Sequence, residues 1–439
     1  MSDRWSIDDV WAVAPDAASR KAAVKVGKAA SWPQRGAVAA TGGGTTAVWG
    51  ECQGSGSKPY LTAVHLDGGT APAYKCSCPS RKIPCKHVLG LLVLWAQGEI
   101  ADREDAPAWV GTWIDGRTAR QARTAAPATP ADPARAAATL RAREEAVAAG
   151  LAELRLWLHD QIDAGLAEVP KLGYDHWDRM AKRLTDAKAR GASNLVSLLP
   201  AAARQENWPE RVLERMSLLH LLIDGYTAGD ALGERTRGAA RSRVGITLKA
   251  DEASARGEKV HDTWLVLGKR TVAGDEDGVT GLRVWLRGTG TGRTALALGF
   301  GRAGQAPAAP YRVGTAVEAE LSFYPDGHRI VPNPGAEVPG TVPDGTTVAA
   351  ALDTYASALA EDPWLEAWPV VLADAVPAWD GRWHLADPDG NALPLTAGRH
   401  QRLLAVTGGQ PTAIAAEWSP VEGLAPITVW DRNGKAVPL

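Results

Sequence analysis

No stretch of this 439-residue chain is both long and strongly apolar. The longest such run, residues 88–96, falls far short of the ~20 residues that a membrane-spanning helix needs. The first twenty residues are polar and charged and lack the apolar centre of a secretory signal. Both absences predict a soluble, cytoplasmic protein with no membrane contact. Net charge is also small, at −2, so the chain as a whole is not a generic polyanion binder. There are only four cysteines, and with no secretory signal a reducing cytosol suits them better than a disulfide framework. Lysine is scarce beside arginine and alanine is abundant, which suggests a GC-rich bacterial coding sequence.

What remains is enough for two to four domains with real cores, since 45% of the residues are hydrophobic. The charge that is present is unevenly placed. Residues 17–89 hold ten Lys or Arg against Glu51 and Asp67, a net +8, and residues 344–390 hold nine acids against Arg382, a net −8. A basic end raises the odds of a nucleic-acid or acidic-protein partner there. A solvated surface, or docking of the two ends on each other, explains the same pattern.

Three of the four cysteines lie within ten residues, in C-x-C, six residues, then C-x-H: Cys76, Cys78, Cys85 and His87. Three thiolates and an imidazole make a full tetrahedral set for one Zn²⁺. In an extended segment residues i and i+2 face one side, so a strand end over 74–78 presents Cys76 and Cys78 together. Pro79 turns the chain and Pro84 stiffens its return. Val88, Leu91, Leu92 and Trp95 then follow at helical spacing, so Cys85 and His87 stand at a helix start, whose partial positive charge favours a thiolate. Lys75, Arg81, Lys82 and Lys86 surround the set with no acid among residues 75–87. Four protein ligands close the coordination sphere, which makes the site structural. A redox cluster and chance clustering are the alternatives. Cys52, in a strand-like segment, reads as a buried small residue.

The C-x-C…C-x-H pattern followed by an apolar helix resembles the SWIM zinc finger, over about residues 45–98. That resemblance implies binding, to DNA or to protein, and no catalysis. Stand-alone bacterial proteins similar to this one belong with MoxR-type AAA ATPases and von Willebrand A-domain proteins, so such proteins are the partners implied. The other three quarters of the chain carry no motif that names a family.

The expected fold class is α+β and multidomain. Residues 1–121 form the finger domain, with helices over 6–13 and 16–28 and a hairpin of strands 46–52 and 60–66. Residues 122–135, rich in Ala and Pro, form a linker. Residues 136–230 are helical: Val147, Leu151, Leu154, Leu158, Ile162 and Leu166 make one stripe ending at Pro170, Trp177, Met180 and Leu184 start a second helix, and Val212, Met216, Leu219 and Ile223 line a third. Residues 240–335 are β-rich, with strands over 244–249, 263–267, 282–286, 294–298, 317–323 and 329–331, and a small barrel or sandwich fits them. Residues 336–439 are α+β, with helices over 347–360 and 364–373 and strands over 382–386, 402–406, 412–418 and 427–430.

Several other signals carry little. Gly299, Gly301 and Gly304 match G-x-G-x-x-G, but prolines and no helix follow. Residues 288–294 are glycine-rich without the P-loop's lysine and read as a hairpin turn. His159 and His176 sit on polar helix faces, and His220 reads as an interior histidine. The expectation is therefore a non-enzymatic zinc-binding adaptor or scaffold whose finger mediates protein–protein contact. The alternative is DNA binding, with Arg35, Lys75, Arg81, Lys82 and Lys86 on phosphates or an acidic partner. A weaker rival is an enzyme using Asp387, Asp389 and the acids near 361–366, which turn and cap roles explain more simply.

Overall fold

A computed structural model describes the chain except for residues 1–4, 15–16, 40–45, 55–57, 67–71, 81–83, 126–132, 274–278, 303–306, 308 and 399. It divides into two compact units: residues 1–129 with 271–282 and 299–310, and residues 130–270, 283–298 and 311–439.

The first unit is built on period-two alternation. Strands β1 (Gln34–Ala39), β2 (Thr46–Cys52), β3 (Tyr60–Leu66) and β4 (Ala73–Cys76) form an antiparallel meander after helices α1 (Ile7–Ala12) and α2 (Ala17–Val26). Ser6 caps α1 through a reciprocal pair of hydrogen bonds with Asp9. Val48, Cys52 and Val64 face α3 (Lys86–Ala96), whereas Ala47, Trp49 and Ala63 face Val110 of α4 (Ala108–Ala125). The sheet is thus covered on both faces. Helix α3 is buried all round, with Val88, Leu89 and Leu91–Trp95 at most 4% exposed. Its Gly90 lets α2 approach closely: a Cβ there would stand 2.8 Å from Val26 Cγ2.

The second unit opens with seven helices: α5 (Pro133–Ala164), α6 (Tyr174–Asp186), α7 (Arg190–Ser197), α8 (Leu199–Ala202), α9 (Trp208–Ala228), α10 (Glu234–Val244) and α11 (Ala250–Arg256). Val147, Leu151, Leu154 and Leu158 of α5 meet Trp177, Met180 and Leu184 of α6 and all four expected residues of α9 in one core. Ile162, expected in the stripe, is 49% exposed. Helix α5 stops at Gly165, whose φ is +82°, ahead of Pro170.

The β-rich remainder has two antiparallel six-stranded sheets. One contains β5 (Lys259–Ala273), β6 (Val279–Gly288), β7 (Thr294–Arg302), β8 (Thr315–Phe323), β9 (Ile330–Val331) and β10 (Ala336–Pro339), in the order β10-β8-β5-β6-β7 with β9 also on β8. After α12 (Val348–Glu361), the other contains β11 (Trp368–Trp379), β12 (Trp383–Ala386), β13 (Ala392–Pro394), β14 (Thr412–Ser419), β15 (Gly423–Trp430) and β16 (Ala436–Pro438), with α13 (His400–Thr407) between β13 and β14. Its order is β13-β12-β11-β14-β15-β16. Leu265, Leu267 and Trp285 from the first sheet share a core with Val371, Ala415, Ile427 and Trp430 from the second. The fold class is therefore mixed α and β, with a helical middle and β-rich sheets behind it.

Three local expectations fail. Residues 364–373 hold no helix, because Trp368–Leu372 is a β11 segment buried on both faces, and such an apolar run has no period to read. Residues 402–406 lie in α13, where Leu403 and Thr407 are buried one turn apart. Residues 244–249 form no strand, since Val244 closes α10 inside the helical core.

One buried carboxylate ties the two sheets. Glu417 on β14 is fully buried and accepts from Trp285 Nε1 at 2.6 Å and from Arg270 Nη1 at 2.8 Å, and Arg283 Nη1 stands 3.5 Å away. Arg270 and Arg283 also pair with Glu422 and Glu366 at the surface. Glu417→Gln should lower unfolding stability by about 3 kcal/mol, the lower end for breaking a buried pair, because each arginine keeps a second carboxylate. Guanidinium unfolding followed by tryptophan fluorescence checks this, and a loss below about 1 kcal/mol would reduce the cluster to a surface-grade interaction.

Candidate metal centre

Cys76 ends β4 opposite Thr62 of β3, whose Oγ1 lies 3.3 Å from Cys76 Sγ. The ladder continues one residue further: Ser77 N donates to Leu61 O at 3.0 Å, and Leu61 N to Ser77 Oγ at 2.9 Å. Ser77 is thereby held to β3, and Cys76 and Cys78 flank it, as the two-residue alternation requires. Cys85 is the N-cap of α3 in an extended conformation, with its carbonyl accepting from Leu89 N at 3.0 Å. His87 is the second residue of α3, its ring stacked on Tyr60 with centroids 4.7 Å apart.

The donor atoms of Cys76, Cys78, Cys85 and His87 all lie within 4.8 Å of one another, and Cys76 Sγ is 3.8 Å from His87 Nδ1. Zinc bonds of about 2.3 Å to sulfur and 2.0 Å to nitrogen set tetrahedral donors roughly 3.5–3.8 Å apart. The cluster fits one zinc ion after a small contraction, and no other such cluster occurs among the described residues. Cys85 and His87 are buried, and Cys76 and Cys78 are half-buried.

The thiols are already unequal. A hydrogen bond between Cys76 and Cys85, together with burial, pushes the Cys76 thiol well above its ordinary value. The same bond pulls Cys85 well below, with help from His87 and the Val88 amide against the cost of burial. Cys85, at the helix N-terminus, is thus the sulfur whose thiolate form the site favours most. Burial raises Cys78. Zinc, when bound, holds all three sulfurs as thiolates. Cys52 is 1% exposed in the core, its thiol raised by burial, and stands outside the donor set.

The residues expected to meet phosphate or an acidic partner differ in what they do. Arg35 donates to three backbone carbonyls, those of Glu99, Ala29 and Trp32, at 2.7–3.1 Å. Lys75 is exposed, with its ammonium 5.8 Å from the Trp109 ring centroid. Lys86 is exposed beside the ligands. Arg81 and Lys82 lie outside the described residues.

Elsewhere, Asp387 accepts from Val348 N at 2.7 Å and from Asn391 N at 2.9 Å, serving a helix start and a turn. Glu361 pairs with Arg235, Asp362 with Arg243 and Glu366 with Arg283. His220 is no interior residue: its side chain is 43% exposed and Nε2 lies 3.5 Å from Asp224. Thr62, Tyr60 and Ser77 support the metal ligands. The alternation of β3 was the only sequence signal that could have singled out the first two.

Residues 64–95 match the family model of the SWIM zinc finger, and residues 142–244 match that of the SWIM-associated four-helix bundle domain. The second match runs from within α5 to the last residue of α10. No curated protein and no solved structure matches the chain.

Cys85→Ser should drop zinc from one equivalent per chain to nearly none and abolish cooperative melting of the first unit. Structural zinc contributes about 10–16 kcal/mol to small zinc-folded peptides, and removing a ligand forfeits much of that. Metal analysis and calorimetry check this. Unchanged zinc content and melting would refute the site.

Proposed function

We propose, from a chain that carries a SWIM zinc finger and its associated helical domain, that it is a non-enzymatic adaptor whose finger holds a protein partner. The carrying observation is the closed Cys₃His set seated in the apolar core of the first unit. Four protein ligands leave the metal no position for a catalytic water, so it serves to fix a recognition surface. The partner class is the one implied by the resemblance, a MoxR-type AAA ATPase working with von Willebrand A-domain proteins. The site of action is the cytoplasm. No helix among the described residues is long and apolar enough to cross a membrane, which fits that reading.

Nucleic-acid binding is the second reading, and the exposed Lys75 and Lys86 beside the ligands favour it. Because Arg35 is engaged by three carbonyls, fewer cations remain for phosphates than the segment's net charge suggests.

Salt separates the two readings. The adaptor should bind a candidate ATPase or A-domain protein with an affinity that changes less than about tenfold between 0.1 and 0.5 M salt, since apolar anchors dominate such interfaces. A nucleic-acid module should lose about a hundredfold or more over that range, with Lys75→Glu/Lys86→Glu weakening it further. Titration of the full zinc-loaded chain against both partner types decides between them. Steeply salt-dependent DNA binding with no protein partner would overturn the adaptor.

A further inference from the structure

The second unit contains a cavity of about 400 Å³ within the β-rich part, far along the chain from the metal ligands. Its size lies within the range of roughly 300–1,000 Å³ typical of small-molecule sites. Three guanidinium groups line it, and no carboxylate does. Arg293 is held on both terminal nitrogens by Glu258, and Arg235 by both oxygens of Glu361 at 2.9 Å. Arg287 forms no ion pair among the described residues and donates only to the Asp344 carbonyl, at 3.3 Å. Arg287 is therefore the one lining arginine with no carboxylate partner, at the wall of a concave site that focuses its field.

Two of the four threonine hydroxyls at the wall are polarised in one sense. Thr291 Oγ1 donates to Asp262 at 2.6 Å and Thr354 Oγ1 to Ala351 O at 2.7 Å. Their protons are engaged by the fold, so what they offer a ligand is lone pairs. The wall is also stiff. Asp262 accepts from the Gly290 and Thr291 amides and fixes the turn that carries Arg293. A Cβ on Gly288 would stand 2.2 Å from Asp262 Oδ2. A site already ordered loses little entropy on binding.

We infer that this cavity binds a small organic phosphate: an anionic head on Arg287 and a body rich in O–H or N–H donors facing the threonine oxygens, as in a nucleotide or a sugar phosphate. The inference is independent of what the finger recognises.

The test is calorimetric titration of the full chain with adenosine monophosphate, ribose 5-phosphate and adenosine. Saturable binding of either phosphate is expected, at least tenfold tighter than adenosine. Binding of both assigns recognition to the sugar phosphate, and binding of the nucleotide alone adds the base. Arg287→Gln should weaken binding at least tenfold with an unchanged melting temperature. Thr354→Leu, which fills the cavity and leaves every arginine in place, should abolish it. No binding of either phosphate at millimolar concentration, equal binding of adenosine, or an unaltered affinity in both variants would overturn the site.

Discussion

The finger unit of this protein depends on the demand of one metal ion for four donors at once. Two donors come from the end of a strand, Cys76 and Cys78, and two from the start of a helix, Cys85 and His87. No apolar contact could impose that meeting so strictly, because hydrophobic burial is non-directional. Strand β4 is only four residues long and would be a weak edge by itself. Joining its end to the first turn of α3 fixes the register of the meander and seats a helix with no polar face. The remaining ligand support follows from that placement: the Thr62 hydroxyl beside Cys76, the Tyr60 ring on His87 and the Ser77 clasp to β3.

The second unit meets a similar demand by other means. Two six-stranded sheets share an apolar core, and a charge sits at their junction. Burying Glu417 is costly unless its oxygens are satisfied, and here an indole and two arginines satisfy them. Such a cluster adds little net stability against an apolar replacement. Its effect is on specificity, since a shifted sheet pairing would strand the carboxylate. The metal in the first unit and Glu417 in the second both turn loosely specified packing into one arrangement.

The sequence carried the site far better than the fold. A metal site is local and written in residue types with few other uses, so C-x-C and C-x-H at a helix start could be read directly. The helical stripes of α5 and α9 were legible for a related reason, because one-sided burial leaves a period. Residues 368–372 defeated that reading, since a strand buried on both faces has none. Residues 402–406 failed differently: only Leu403 and Thr407 of α13 are buried, too few to mark a helix. The cavity was out of reach, because its arginines come from positions 235, 287 and 293 and converge only through tertiary structure.

Segment charge was the least faithful guide, and the reason bears on function. A net +8 over residues 17–89 counts Arg35, whose guanidinium is bound to carbonyls and is barely available to a partner. A net −8 over residues 344–390 counts Glu361, Asp362 and Glu366, each paired with an arginine of the second unit, and Asp387, which caps α12. Three of the nine acids that looked like a docking face for the basic end are thus paired within their own unit. Arginine suits this role, since its planar fork satisfies carbonyls and carboxylates at fixed angles. Among the described residues, the cations that stay open at the two sites are Lys75 and Lys86, exposed beside the metal ligands, and Arg287, which has no carboxylate partner in the cavity. Net charge along the chain says little about where those points are.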